Sequence, residues 1–187
     1  MWQEMKKDIL RSRNSPQIMG ELDPPDKEIV QTLGLEEDGL LGILISNTRG
    51  LCLDQGTIRF LGASSSPKTP AIKKLREEGF YGNTEDHGIL FAYDICGGLY
   101  TFLPSRHPLH PSGMPGSLSF YHPGTKSWQF MKTGFGSFFY WCLNVDVPGY
   151  KPYLRFSGWE KAAEELNAGQ TIDPISGGIL PLGERFI

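Results

Sequence analysis

The chain has 187 residues, 39% of them hydrophobic and 21% charged, with a formal net charge of −3. That length suits a single domain able to bury a core without staples, and the lack of a basic excess argues against a general nucleic-acid partner. Cys52, Cys96 and Cys142 are far apart with no CxxC pair, which reads as buried free thiols in a reducing, cytoplasmic compartment.

No run approaches the ~20 apolar residues of a membrane span. Glu4, Lys6, Lys7 and Asp8 interrupt the N-terminus, so no signal peptide or membrane association is expected. The first segment places Trp2, Met5 and Ile9 at helical spacing, ended by Asn14-Ser15-Pro16. Asp23-Pro24-Pro25-Asp26 is a helix-start signal, with Asp23 as the cap and Gly34 as the stop. Residues 40–47 are apolar and β-branched enough to predict a strand. Residues 51–53 and 57–61 flank Asp54-Gln55-Gly56 as a hairpin. After a Ser/Pro-rich loop, Thr69-Pro70 opens a short helix with Ile72 and Leu75 inward, closed by Gly79.

Residues 88–95 read as a buried strand that Cys96-Gly97-Gly98 turns into a second strand at 99–103. A long proline-rich connection spans 104–116. Residues 117–121 and 127–131 form a hairpin, and 135–143 an aromatic helix. Ser157-Gly158-Trp159-Glu160 reads as a capping box, its helix ended by Gly169. Residues 170–187 are expected to wrap the domain as extended chain. This order predicts an α+β fold, an antiparallel, hairpin-rich sheet with helices packed on one side, in a single domain over 1–187.

Several residues invite a chemical reading. Asp94, at the end of an apolar strand, suits either a desolvated acid or base or a carboxylate that accepts N–H groups from the glycine turn. The spacing favours the turn, and more so for Asp54. His107 and His110 share one loop, but a zinc site needs three or four ligands, and no Cys or HExxH motif completes the set. No nucleophile elbow or phosphate-binding glycine motif is present, and the cysteines sit among apolar neighbours that leave a thiol inert. Neither metal nor cofactor is expected. The aromatic run from Phe135 to Trp141 is read as core, with Tyr140 or Trp141 reaching the surface, and Trp159 as the residue that pins its helix to the sheet. Arg106, His107 and His110, with Tyr150 and Tyr153, are residue types suited to a protein interface.

Residues 50–62, GLCLDQGTIRFLG, resemble the signature of the bacterial family catalogued as domain of unknown function 2625. The segments Ala92 to Tyr100, Gly116 to Trp128 and Tyr153 to Glu160 resemble that family's further motifs in the same order. Phe156 stands where the family usually has Trp. The resemblance directs attention to Asp54, Arg59, Asp94, Gly97, Gly98 and Trp159, and it implies an α+β domain without an established activity. The hairpin and following aromatic helix also resemble the SUKH superfamily, whose members are similar to immunity proteins.

Two functional expectations follow. The first is a non-enzymatic module that binds a protein partner through loops and a sheet edge, in the toxin-neutralising manner of immunity proteins. The second is a small-molecule-binding domain or small enzyme with a pocket near Asp94 and Arg59. Self-association through a sheet edge or the C-terminal tail is a third arrangement.

Overall fold

The computed structural model of the protein describes residues 1–77, 87–104 and 116–182. Arg106, His107 and His110, the Gly79 helix stop, most of the proline-rich connection and the last five residues of the tail lie outside the described residues. Helix α1 (Trp2–Arg11) buries Met5 and Ile9, which are one turn apart on one stripe. A two-residue strand β1 (Gln17–Ile18) follows. Helix α2 (Lys27–Thr32) is capped by Asp26, whose carboxylate accepts the Ile29 N–H at 3.2 Å. The cap falls there and not at Asp23 because the helix begins only at Lys27, beyond both prolines.

Residues 40–47, expected as a strand, form helix α3 (Leu40–Asn47), buried from Leu41 to Asn47. An apolar run enclosed on every side carries neither a 2-residue nor a 3.6-residue period, so the pattern cannot separate the two states. Gly42 lets the helix sit tightly against the preceding loop: a Cβ there would lie 2.2 Å from the Glu36 carbonyl oxygen.

Strands β2 (Leu51–Leu53), β3 (Ile58–Phe60), β4 (Ile89–Asp94), β5 (Leu99–Leu103), β6 (Ser117–His122) and β7 (Ser127–Gly134) complete a seven-stranded sheet in the order β1 to β7. Every neighbouring pair is antiparallel. The expected α+β class with an antiparallel, hairpin-rich sheet is therefore the observed one. Helix α4 (Ile72–Glu77) turns Ile72 and Leu75 inward as the spacing predicts.

Because side chains alternate along a strand, the register separates two faces. Phe60, Ala92, Tyr100 and Phe120 form one row, and Arg59, Tyr93, Leu99, Tyr121 and Trp128 the other. Helix α5 (Phe135–Asn144) covers the first row, with Phe135, Phe138 and Phe139 ringed around Phe60 at centroid distances of 5.4–6.4 Å. Helices α1 and α5 both pack on α3. Tyr140 is 66% exposed, the aromatic residue of this helix that reaches the surface as its sequence predicts.

Helix α6 (Val147–Tyr150) and the 3-10 turn Pro152–Arg155 carry the chain across the end of the sheet. Helix α7 (Trp159–Glu165) lies over the second row. Its start departs from the capping-box reading. The N-cap is Gly158 in the left-handed region at φ 84°, and no side chain caps the helix. A left-handed cap moves the first turn one residue past Ser157 and leaves its hydroxyl out of reach. The tail folds into a separate antiparallel pair, β8 (Gln170–Ile172) and β9 (Ile179–Pro181). The Ile172 N–H ties this pair to the Ile95 carbonyl at 2.7 Å.

Candidate functional site

Asp54 sits at φ 50°, the first residue of the 3-10 turn Asp54–Gly56 between β2 and β3. Its carboxylate accepts the Thr57 hydroxyl at 2.5 Å and Arg155 Nη2 at 2.6 and 2.5 Å. The Arg155 guanidinium then covers the Trp159 ring at 3.8 Å. Asp54 and Trp159 are thus joined through a residue that the sequence reading passed over. Trp159 does not pin its helix to the sheet. It is half-buried and stands apart from the apolar core, because its face is taken by Arg155. Arg155 was within reach of sequence reasoning, since it stands four residues before Trp159 in a family-like segment.

Arg59 is fully buried, and its guanidinium donates to the carbonyls of Gly56 (3.1 Å), Lys68 (3.0 Å), Asn167 (3.1 Å) and Ala163 (3.0 Å). Lys68 Nζ donates to the Leu166 carbonyl at 3.1 Å and also to that of Glu164. Two cations therefore close the C-terminal end of α7, where the helix leaves carbonyls unpaired and negative dipole accumulates. Burial and the neighbouring Arg59 charge lower the Lys68 pKa from the ordinary lysine value. Cys52, on the same face, is buried, and burial pushes its thiol up. A cleft of about 340 Å³ opens beside this group, and Glu160 and Glu164 supply its acidic wall.

Asp94 lies on the opposite face of the sheet from Arg59, because its register partner is Ile58 while Arg59 pairs with Tyr93. Its Oδ1 accepts the N–H groups of Cys96 at 3.1 Å and Gly98 at 2.8 Å, as the turn reading predicts. Its Oδ2 accepts the Tyr153 hydroxyl at 2.6 Å and, more distantly, that of Tyr100 at 3.4 Å. Asp94 and Tyr100 are both inaccessible to solvent. Burial, followed by the adjacent Asp94 charge, raises the Tyr153 pKa strongly, so its proton stays on oxygen.

The hydroxyl of Tyr153 also meets Lys151 Nζ at 3.5 Å. That ammonium is enclosed by rings, 3.6 Å from the Phe120 centroid, 4.9 Å from Tyr100 and 5.6 Å from Tyr153. Burial lowers the Lys151 pKa, and the nearby Asp94 charge opposes this in part. No carboxylate among the described residues reaches Lys151 within ion-pair distance. Lys151 lines a cavity of about 460 Å³ between β7 and α5, walled by Met131, Thr133, Ser137, Phe138 and Trp141. Nothing in the local sequence singles out Lys151, since two of its three rings come from β5 and β6.

Among the described residues no group of three His, Cys, Asp or Glu side chains is placed to hold a metal ion. No helix among them is long and apolar enough to cross a membrane. Cys52, Cys96 and Cys142 are buried free thiols, as their spacing predicts.

Fold and site together define an α+β domain whose antiparallel sheet carries an arginine-closed helix end on one face and an aromatic-lined lysine cavity on the other. The chain belongs to the family described as protein of unknown function DUF2625, whose model matches residues 1–175. It is 24% identical over 154 residues to the putative uncharacterized protein YbfG of Escherichia coli, covering 79% of this chain and 68% of that one. It is 22% identical over 174 residues to an uncharacterized protein of Haemophilus influenzae, covering 90% of this chain and 73% of that one. No solved structure matches the chain.

Proposed function

We propose that this protein is a small-molecule-binding domain whose ligand occupies the cavity between β7 and α5. The observation that carries this reading is the lining: Met131, Phe138 and Trp141 present apolar surface, and Ser137, Thr133 and Lys151 supply a few polar groups, around about 460 Å³. Ligand sites are typically clefts of about 300–1,000 Å³ with this balance of apolar wall and sparse polar contacts. The Asp94 network stands behind Lys151 and holds Tyr153 in place, which favours a ligand with an apolar body and one polar end. The pocket is on Asp94's side of the sheet, with Arg59 serving the other face.

The neutral probe 2-naphthylmethanol tests the reading. Saturable quenching of tryptophan fluorescence is expected, together with a rise in Tm. Ser137→Trp, which fills the cavity mouth from an exposed helix position, should abolish both. Unchanged binding in that variant, or none in the parent, overturns the proposal.

A second reading, protein binding through a sheet edge, rests on β7. It is the last strand of the sheet, no described residue pairs with its outer edge, and Phe130 is 40% exposed on it. An open edge is a template for a partner strand. The order of β6, β7 and α5 is the pattern that resembles SUKH immunity domains, which supports a toxin-like partner that this chain would neutralise, or a second copy of the chain. The three buried thiols support a reducing, cytoplasmic setting for either reading. Phe130→Lys should remove a co-purifying protein, or shift a self-associated species to monomer in sedimentation. Retention of the same complex by the variant sinks this reading.

A further inference from the structure

We propose that Lys151 is a covalent capture site for small apolar carbonyl compounds, forming an imine with an aldehyde or ketone held between β7 and α5; this rests on the cavity reading above and adds the identity of the reacting group. The geometry separates Lys151 from Lys68, the other lysine whose pKa burial lowers. Lys68 Nζ is engaged by the carbonyls of Glu164 and Leu166, acceptors that need its protons and hold it charged. Lys151 Nζ has no carbonyl or carboxylate acceptor among the described residues. Its polar neighbour is the Tyr153 hydroxyl at 3.5 Å, and its surroundings are the faces of Phe120, Tyr100 and Tyr153. Those faces attract the ammonium by cation–π contact, which supplies less than a buried ion pair would, and an enclosed amine without an ion-pair partner is the environment in which lysine serves as a nucleophile.

The direction of its pKa agrees. Burial lowers it, which enlarges the fraction of neutral amine at pH 7 relative to a solvated lysine. The titratable groups that face it are Asp94, whose charge acts to raise that pKa, and Cys142 and Tyr153, which keep their protons and stay neutral. Burial likewise pushes the Cys142 thiol up, so it stays protonated and does not compete as a nucleophile.

The step balances without an oxidant or reductant. The amine lone pair attacks the carbonyl carbon, and the C–O π bond opens to a carbinolamine. The C–O single bond then breaks, with the oxygen leaving as water and carrying the two protons that the nitrogen gives up. Tyr153 Oη, anchored on Asp94 at 2.6 Å and 3.5 Å from Lys151 Nζ, orients the nitrogen, and solvent carries those protons. Met131, Phe138 and Trp141 would cover the apolar body of the ligand.

The test uses the whole protein with 2-naphthaldehyde at pH 7 and cyanoborohydride, followed by intact mass and peptide mapping. The expected result is one dominant adduct at Lys151, formed at least ten-fold faster than at exposed lysines such as Lys161. It should persist at lower pH than theirs and be lost in Lys151→Arg and Lys151→Gln. Peptide mapping of the unmodified sequence is decisive even if both variants fold poorly. Adducts spread over surface lysines while 2-naphthylmethanol still binds would overturn imine capture and leave the cavity reading standing. An adduct centred on Lys68 would overturn it as well. Absence of both adduct and alcohol binding would overturn the two together.

Discussion

Replacing Arg59 with methionine should lower the unfolding free energy by about 3–5 kcal/mol, the range of single substitutions that strip a buried polar network. The guanidinium is fully buried and joins three parts of the chain, with acceptors at Gly56, at Lys68 and at Ala163 and Asn167 of the α7 end. Methionine fills much of the volume but takes a donor from each of four carbonyls; those of Lys68 and Asn167 keep the Tyr93 hydroxyl and the Gln170 N–H, while a buried group left unpaired costs about 1–3 kcal/mol. The total stays below the simple sum because the α7 end can relax toward water. Arg59→Lys should recover less than half of the loss, since an ammonium on a flexible stem lacks the planar fork that reaches several directions at once. Urea unfolding is the measurement, with the midpoint shifted and the slope unchanged. A loss under about 1 kcal/mol in the methionine variant would mean that the carbonyls find other partners and that the arginine does not organise this face.

Gly98→Ala is expected to cost about 3 kcal/mol, near the top of the usual range for overpacking. A Cβ at Gly98 would lie 2.2 Å from Asp94 Oδ2, 2.8 Å from Asp94 Cγ and 2.9 Å from Phe120 Cε2. The carboxylate cannot step aside, because its Oδ1 is fixed by the N–H groups of Cys96 and Gly98 and its Oδ2 by Tyr153. Displacing it would therefore disturb the Tyr153 and Lys151 side of the cavity. Gly97, at φ 90°, provides the comparison. Alanine there carries the left-handed backbone penalty of roughly 1–2 kcal/mol. Thermal unfolding of the two variants checks the order. Equal losses, or a larger one at Gly97, would contradict the packing argument.

The strands and hairpins were legible because alternation and turn residues mark them locally. Asp54-Gln55-Gly56, Cys96-Gly97-Gly98 and residues 122–126 each sit between strands where the sequence reading placed them. The α3 run was misread because complete enclosure removes the periodicity that distinguishes helix from strand. Ser157 was misassigned as a cap because Gly158 adopts a left-handed conformation that composition does not announce. For the site, the Asp94 turn bonds were readable from the glycine spacing, but the Tyr153 contact spans 59 positions and carries no local mark. Arg59 was singled out by family likeness without its role, since its acceptors are main-chain oxygens up to 108 positions away. Lys151 was invisible for the same reason: its cage exists only once β5 and β6 lie side by side.

The closure of α7 by Arg59 and Lys68 bears on how this protein tolerates change. Both cations grip the peptide oxygens of Ala163, Glu164, Leu166 and Asn167, and every amino acid offers that oxygen. Glu164 and Asn167 are therefore free to drift among related sequences without loosening the attachment, provided a helix still ends at that point. Ala163 and Leu166 are held by their burial in the core, not by the cations. Descendants would thus keep the arginine and the place where the helix stops while exchanging the letters around it. Relatedness at this end of the chain would show as preserved geometry beneath diverged text.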